Sequence, residues 1–422
     1  MGEEPCFPDH ACDRRAEIMS QPRSGAVVAL AIFALVGAIF AAVSTADFVA
    51  FLDRQVHSVT CSFVPGLGAA DTTGTSGCHA VLMSPYSAVF RASTWGGIPI
   101  SLAALSVFAF LLFRAADLLI RRVAGDPDET RFLVAATLLP VLVSAVYLTI
   151  AVLRIGSLCK LCVGIYVASL GVFISAIVAH RGAARTAPRR SVPWGAYAVA
   201  FVEGVVFVAV PVLLYLALKP AYTSAMANCG DLIHPEDRYG VRVKLGGPAG
   251  GVPAIEVIDP LCPACKGFSE RLAASGLGAR LDPEIVLFPL DKECNWMVSE
   301  SLHPGSCAVS EAVLCAGPQA RDVLEWAFAN QDKLREAGKD TKRVYDLIRQ
   351  RFPELGGCLG RPAVKARLNR SLRWVVANSL PVQTPQLFVR GQKVCEEDTD
   401  LGLDFVLARL LDRPQPGGGA GR

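Results

Sequence analysis

The chain has 422 residues, 52% hydrophobic and 19% charged, too apolar for one water-soluble globule of that length and long enough for two domains. A formal net charge of +3 excludes the strongly basic balance of a nucleic-acid binder. Fourteen cysteines are many for a reducing compartment, and eight of them follow residue 220, where the composition turns polar.

Five stretches are long and apolar enough to cross a hydrocarbon layer about 30 Å thick, which takes roughly 20 helical residues. They run from Val27 to Phe51, Ile98 to Ile120, Phe132 to Leu153, Cys159 to Val178 and Ala196 to Leu218. A polar segment, 1–25, precedes the first, and the apolar run is too long for a cleaved signal, so that helix is retained. Basic residues gather in cytosolic loops. Arg14, Arg15, Arg23, Arg121, Arg122, Arg131, Arg181, Arg185, Arg189 and Arg190 fall on one side, against Arg54, Arg91, Arg154 and Lys160 on the other. The amino terminus is therefore expected in the cytosol. Five crossings then place the 52–97 loop, the turn before Cys159 and everything after Leu218 on the outer face. Glu203, inside the fifth span, is expected to snorkel or to meet Arg190.

Residues 221–251, with Gly246, Gly247, Pro248, Gly250 and Gly251, read as a tether, and 252–413 as a soluble domain. In it Val252–Asp259 is a buried strand, Cys265–Ser275 a helix, Glu284–Leu290 a second strand, Ser299–Gln350 a helical insertion and Gln386–Val389 a further strand. Residues 414–422 are rich in Pro and Gly and predict disorder.

Cys262-Pro263-Ala264-Cys265 stands where a strand gives way to a helix. Unpaired N–H groups and the helix dipole stabilise a thiolate there, so Cys262 is the expected nucleophile and Cys265 the thiol that resolves its mixed disulfide. Reading the pair as half of a zinc site requires a second closely spaced pair, and this domain has none, so no metal is expected. These residues, with Glu256 six positions before the turn and Thr384-Pro385 before a strand, resemble the thioredoxin superfamily and DsbA-like oxidoreductases in particular. The resemblance implies a cis-proline at Pro385 and a proton-transfer role for Glu256. Strongly oxidising members carry His where this chain has Ala264.

Cys159-Lys160-Leu161-Cys162 opens the fourth span at the outer face, so a lipid-soluble acceptor can reach Cys162 while Cys159 exchanges with other thiols. A second pair, Cys61 and Cys78, lies in the outer loop. Cys78-His79-Ala80-Val81-Leu82-Met83-Ser84-Pro85-Tyr86, Trp95-Gly96-Gly97-Ile98-Pro99 and the fourth-helix CxxC together resemble the vitamin K epoxide reductase family, over about Val27 to Val178. The resemblance implies that Cys162 reacts with a quinone, ubiquinone or menaquinone, and that Cys159 receives electrons from Cys78, with Cys61 the first acceptor. It also points to Ser93 beside the quinone. The chain departs from the family in a 17-residue spacing of the loop cysteines and in extra residues at Arg91–Thr94.

The expected fold is thus mixed. A four-helix membrane domain at 26–180 is followed by a basic loop and fifth helix at 181–220, then an α/β thioredoxin-like domain with a helical insertion. The expected activity is quinone-dependent oxidation of reduced secreted or periplasmic proteins at an inner membrane. Reductive or isomerising flow, and a disulfide-stapled receptor with no enzymatic activity, are the competing readings. Cys229, Cys294, Cys307, Cys315, Cys358 and Cys395 make an even set for structural disulfides, with fifteen connectivities open.

Overall fold

A computed structural model describes residues 10–53, 77–185, 193–219, 229–395 and 400–412, with side chains from residue 25 onward. Two compact units emerge, one from the described parts of Met1–Val89 and Ile98–Pro220, the other from those of Phe90–Gly97 and Ala221–Arg422.

The first unit is helical: α1 (His10–Ala50), α2 (Gly77–Leu82), α3 (Ile100–Ile120), α4 (Pro127–Ile150), α5 (Lys160–Ala184) and α6 (Trp194–Leu218). Five apolar segments, Gly25–Ala50, Ile100–Ile120, Pro127–Ile155, Lys160–Ala184 and Trp194–Leu218, are long enough to cross a membrane. α1 packs on α3 and α5, α4 on α5, and α6 on α3. Lipid tails are as apolar as the side chains themselves, so close packing rather than water exclusion holds such helices together. Gly37, Gly164 and Gly171 supply it, each leaving room for one aromatic ring, that of Phe108, Phe40 and Phe33 respectively. Asp126 caps α4 by accepting from the Asp128 amide at 2.9 Å, with Pro127 in the first turn, where a missing N–H costs nothing. A short ladder joins β1 (Ala88–Val89) to β2 (Ile98–Pro99).

Arg190, the expected partner of Glu203, lies outside the described residues. Arg114 of α3 bonds Glu203 of α6 at 3.2 Å and also Glu129 of α4. Helix packing thus brings to Glu203 a cation 89 residues away in the chain.

The second unit is built on a five-stranded sheet, ordered β3 (Val243–Lys244), β5 (Leu281–Leu287), β4 (Val252–Ile258), β6 (Gln386–Val389) and β7 (Gln392–Lys393). β4 and β5 run parallel and the other pairs antiparallel. α7 (Pro263–Ala274) makes the crossover between β4 and β5. Strand β5 begins three residues before the expected Glu284. Asp282-Pro283 looks like a turn, yet the Pro283 carbonyl accepts from the Leu245 amide at 3.1 Å and the strand continues.

One sheet face carries α8 (Ser306–Ala316), α9 (Ala320–Ala329), α10 (Gln331–Ala337) and α11 (Thr341–Arg351), whose core includes Ile258, Leu261, Val309, Val313, Leu334 and Leu368. On the other, Ile255, Val257 and Phe388 pack with Trp374 of α12 (Pro362–Ala377). Helix α13 (Leu403–Asp412) closes the described chain.

Part of the expected tether belongs to the fold. Val243 pairs with Ile285, Leu232 and Val241 are buried, and Cys229 is bonded to Cys395. Its glycines suggested flexibility, but Gly247 is required for close approach to Asp282, where a Cβ would sit 2.9 Å from the backbone. Disulfides Cys294–Cys307 and Cys315–Cys358 complete the pairing of the six.

Candidate active site

In the first unit, α4 continues as one wide turn, Ala151–Ile155, and ends at Gly156, whose φ of 69° only glycine adopts freely. The chain then runs extended to Cys159, the residue preceding α5, so its sulfur faces the unsatisfied N–H groups of that helix. Opposite lies α2. A Cβ on Gly77 would collide with the Leu158 carbonyl oxygen, so glycine there lets the two segments close. The adjacent Cys78, itself held in a disulfide, brings its Sγ to 3.1 Å from the Sγ of Cys159. Cys159 and Cys162 are free thiols, the first buried and the second part-exposed. Cys61 lies outside the described residues.

Cys78, Cys159 and Cys162 open into a cavity of about 350 Å³. Its walls are mostly apolar, with Phe48 of α1, Val107 and Phe108 of α3, Pro140 of α4 and Ile165 of α5. Among them stand Asp47, Ser84, Tyr86, Ser101, Tyr147 and Tyr166. Pockets of roughly 300–1,000 Å³ with apolar walls and a few polar groups are typical of small-molecule sites. Ser93 is not among the lining residues; it is exposed and donates to the Phe90 carbonyl at 3.2 Å. Ser84 and Tyr86 belong to the motif that follows Cys78, whereas Asp47, Ser101, Tyr147 and Tyr166 come from four different helices and no local spacing marks them.

In the second unit, β4 delivers the chain to Asp259, and Cys262 immediately precedes α7, with Pro263 in its first turn. Gln331 fixes the approach by donating to the carbonyls of Cys262 at 2.9 Å and Pro260 at 3.2 Å. Cys262 and Cys265 are free thiols and buried, while Pro263 and Ala264 are exposed. The Thr384–Pro385 bond is cis, and the Cys262 thiol lies 3.7 Å from the Thr384 carbonyl. The hydrogen bond from Cys265 holds the Cys262 thiol down at about 6 against the opposing effect of burial, with further help from His303. Burial and the neighbouring Cys262 thiolate push Cys265 well above the ordinary thiol range. One sulfur is thus prepared to attack near neutrality and the other to remain protonated.

Glu256 sits two residues before Ile258 on the same face of β4, and burial raises its carboxyl to about 7. It lines a second cavity of about 320 Å³ with Leu272, Arg321, Leu324 and Phe328, and neither redox cysteine is in that lining. Asp259 and His303, which the sequence did not bring forward, form a hydrogen-bonded pair at 2.8 Å. Among the described residues, no group of three or more His, Cys, Asp or Glu is placed to hold a metal ion.

The model of the vitamin K epoxide reductase family matches residues 28–177. A solved structure, the oxidoreductase DsbA from Xylella fastidiosa, matches 40% of this chain and 94% of its own at 20% identity, with a TM-score of 0.26. No curated protein matches the chain. The sheet order, the CxxC before a helix and the cis-proline facing it make the second unit thioredoxin-like in its own right. Residues 28–177 match the vitamin K epoxide reductase family, and the chain joins this unit of membrane-length helices to a thioredoxin-like one.

Proposed function

We propose that the chain makes disulfides in secreted or periplasmic proteins and passes the electrons to a membrane quinone. The observation that carries this reading is the 3.1 Å approach of Cys78 to Cys159, beside an apolar cavity that also exposes Cys162. Two centres placed for thiolate attack then belong to one path. A substrate thiolate attacks Cys262 of the Cys262–Cys265 disulfide and a second substrate thiol releases its own disulfide, leaving both cysteines reduced. Cys262 next attacks the disulfide of the outer loop, which we assign to Cys61 and Cys78, releasing Cys78; Cys265 then closes the Cys262–Cys265 disulfide and releases Cys61. Reduced Cys78 attacks Cys159 of the Cys159–Cys162 disulfide, leaving Cys162 as thiolate at the cavity wall, and Cys61 then re-forms its disulfide with Cys78 and releases Cys159.

The cavity suits a quinone ring in its walls of aromatic and aliphatic side chains. The hydroxyls of Tyr147 and Tyr166, which make no hydrogen bond to a described residue, can donate to ring carbonyls. When bound, a quinone supplies a two-electron, two-proton acceptor. The residues at the site do the rest: Cys162 faces the ring, Cys159 closes the disulfide behind it, and the apolar walls exclude water. The excess of Arg on one side of the spans supports a cytosolic amino terminus, with both cysteine centres on the outer face.

The test uses the full chain in detergent with a reduced, unfolded cysteine-containing protein, followed by the absorbance of ubiquinone or menaquinone. Wild type is expected to reduce the quinone, and Cys162→Ala and Cys262→Ala to fail with this substrate. Quinone untouched by wild type, or reduced equally well without Cys162, overturns the reading; a Cys262–Cys265 pair kept mostly reduced in cells points to reverse flow.

A further inference from the structure

The Cys262 turn carries no cation of its own, since Pro263 and Ala264 separate the two cysteines. A positive charge comes instead from outside it. Asp259, three residues before Cys262, is wholly buried, and both its carboxylate oxygens are hydrogen-bonded. Its Oδ1 accepts from the Leu261 amide at 2.8 Å and the Ser306 hydroxyl at 2.7 Å. Its Oδ2 accepts from the Leu290 amide at 2.7 Å and meets Nδ1 of His303 at 2.8 Å. A carboxylate only accepts, so Nδ1 carries the proton and the ring is fixed in orientation. The His303 side chain is only 12% exposed.

We propose that His303, positioned by Asp259, provides the charge that activates Cys262, in place of a cation within the CxxC turn. This rests on reading Cys262 as the attacking thiol. The Cys262 amide donates to the Asp259 carbonyl at 3.1 Å, so the residue whose carboxylate holds His303 also holds the start of the CxxC turn, and His303 is a positioning and charge-supplying residue. The charged groups that face it are Asp259 and the Cys262 thiolate, which favour the imidazolium, and Arg335 of α10, which opposes it. Burial works against the charged ring most strongly, yet the net effect of these partners is a value above the ordinary 6.5. The two sites therefore titrate as a pair. Below the imidazole's titration the thiolate has its counter-charge, and above it that support is lost.

The experiment measures iodoacetamide alkylation of Cys262 against pH in the reduced full chain in detergent, read by mass spectrometry on the Cys262 peptide. Wild type should show a midpoint near 6. His303→Gln, which keeps a donor for Asp259, should move it up by roughly half to one pH unit, a two- to five-fold loss of thiolate at pH 6. Adding Ala264→His at the exposed turn should bring it back down. A folded His303→Gln protein with an unmoved midpoint overturns the proposal. Should His303→Gln not fold, reciprocity supplies the second reading: in a histidine-labelled chain the His303 NMR titration must fall in Cys262→Ser, and an unchanged value overturns it equally. Neither readout requires quinone turnover, so a failed relay and a failed His303 assignment are told apart.

Discussion

Replacing Glu256 with Gln tests the energetic reading of the second unit through pH. Burial moves this carboxyl from an ordinary 4.5 to about 7, so its charged form is disfavoured in the fold. The difference corresponds to about 3 kcal/mol at about 1.4 kcal/mol per pH unit. The sign is fixed by linkage: a carboxyl whose value is raised on folding leaves stability intact below 4.5 and removes it as pH climbs toward 7 and beyond. Glu256→Gln keeps the shape and removes the charge. It should match wild type at pH 4 and exceed it by up to about 3 kcal/mol at pH 8. Hydrogen exchange read by mass spectrometry on β4 and β5 peptides of the full chain reports the local free energy. A difference between the two proteins that stays constant from pH 4 to pH 8 would refute the assignment of a buried, neutral carboxyl.

Three other outcomes are expected. Gly77→Ala forces α2 away from the Leu158 carbonyl and should slow electron transfer from Cys78 to Cys159 by roughly ten-fold or more, since misplacement by about 1 Å costs about a hundred-fold in well-aligned reactions; rapid-quench alkylation follows it. Cys162→Ala leaves Cys159 without its resolving thiol, so a Cys78–Cys159 mixed disulfide should accumulate as the main species in peptide mapping. Arg114→Gln strands Glu129 and Glu203 without their cation and should destabilise the helical unit in detergent by on the order of 2 kcal/mol. Adding Glu129→Gln and Glu203→Gln should recover most of that loss, as read by thermal unfolding.

What the sequence discloses, and what it hides, follows from the range of each interaction. The five spans and the two CxxC turns are local: an apolar run or a strand-to-helix switch is written in adjacent residues. Strand β5 was displaced because Pro283, a turn signal by itself, keeps its carbonyl available to a neighbouring strand. Most polar residues beside the membrane cysteines were not legible, since Asp47, Ser101, Tyr147 and Tyr166 meet only when four helices pack. His303 was hidden for the same reason, standing 44 residues from the aspartate that holds it. The pairing of Glu203 with Arg114 was likewise hidden, since helix packing joins residues 89 apart in the chain. The glycines of the expected tether told of backbone freedom but not of the close approach to Asp282 that uses one of them.

The central claim is the order in which electrons leave the chain. A fully reduced protein in detergent is mixed with quinone, quenched at intervals with an isotope-coded alkylating reagent, and each cysteine pair is read by mass spectrometry. The account requires Cys159 and Cys162 to oxidise first, Cys61 and Cys78 next, and Cys262 and Cys265 last. Oxidation of Cys262 and Cys265 ahead of the membrane pair, or of all pairs at one rate, would contradict it.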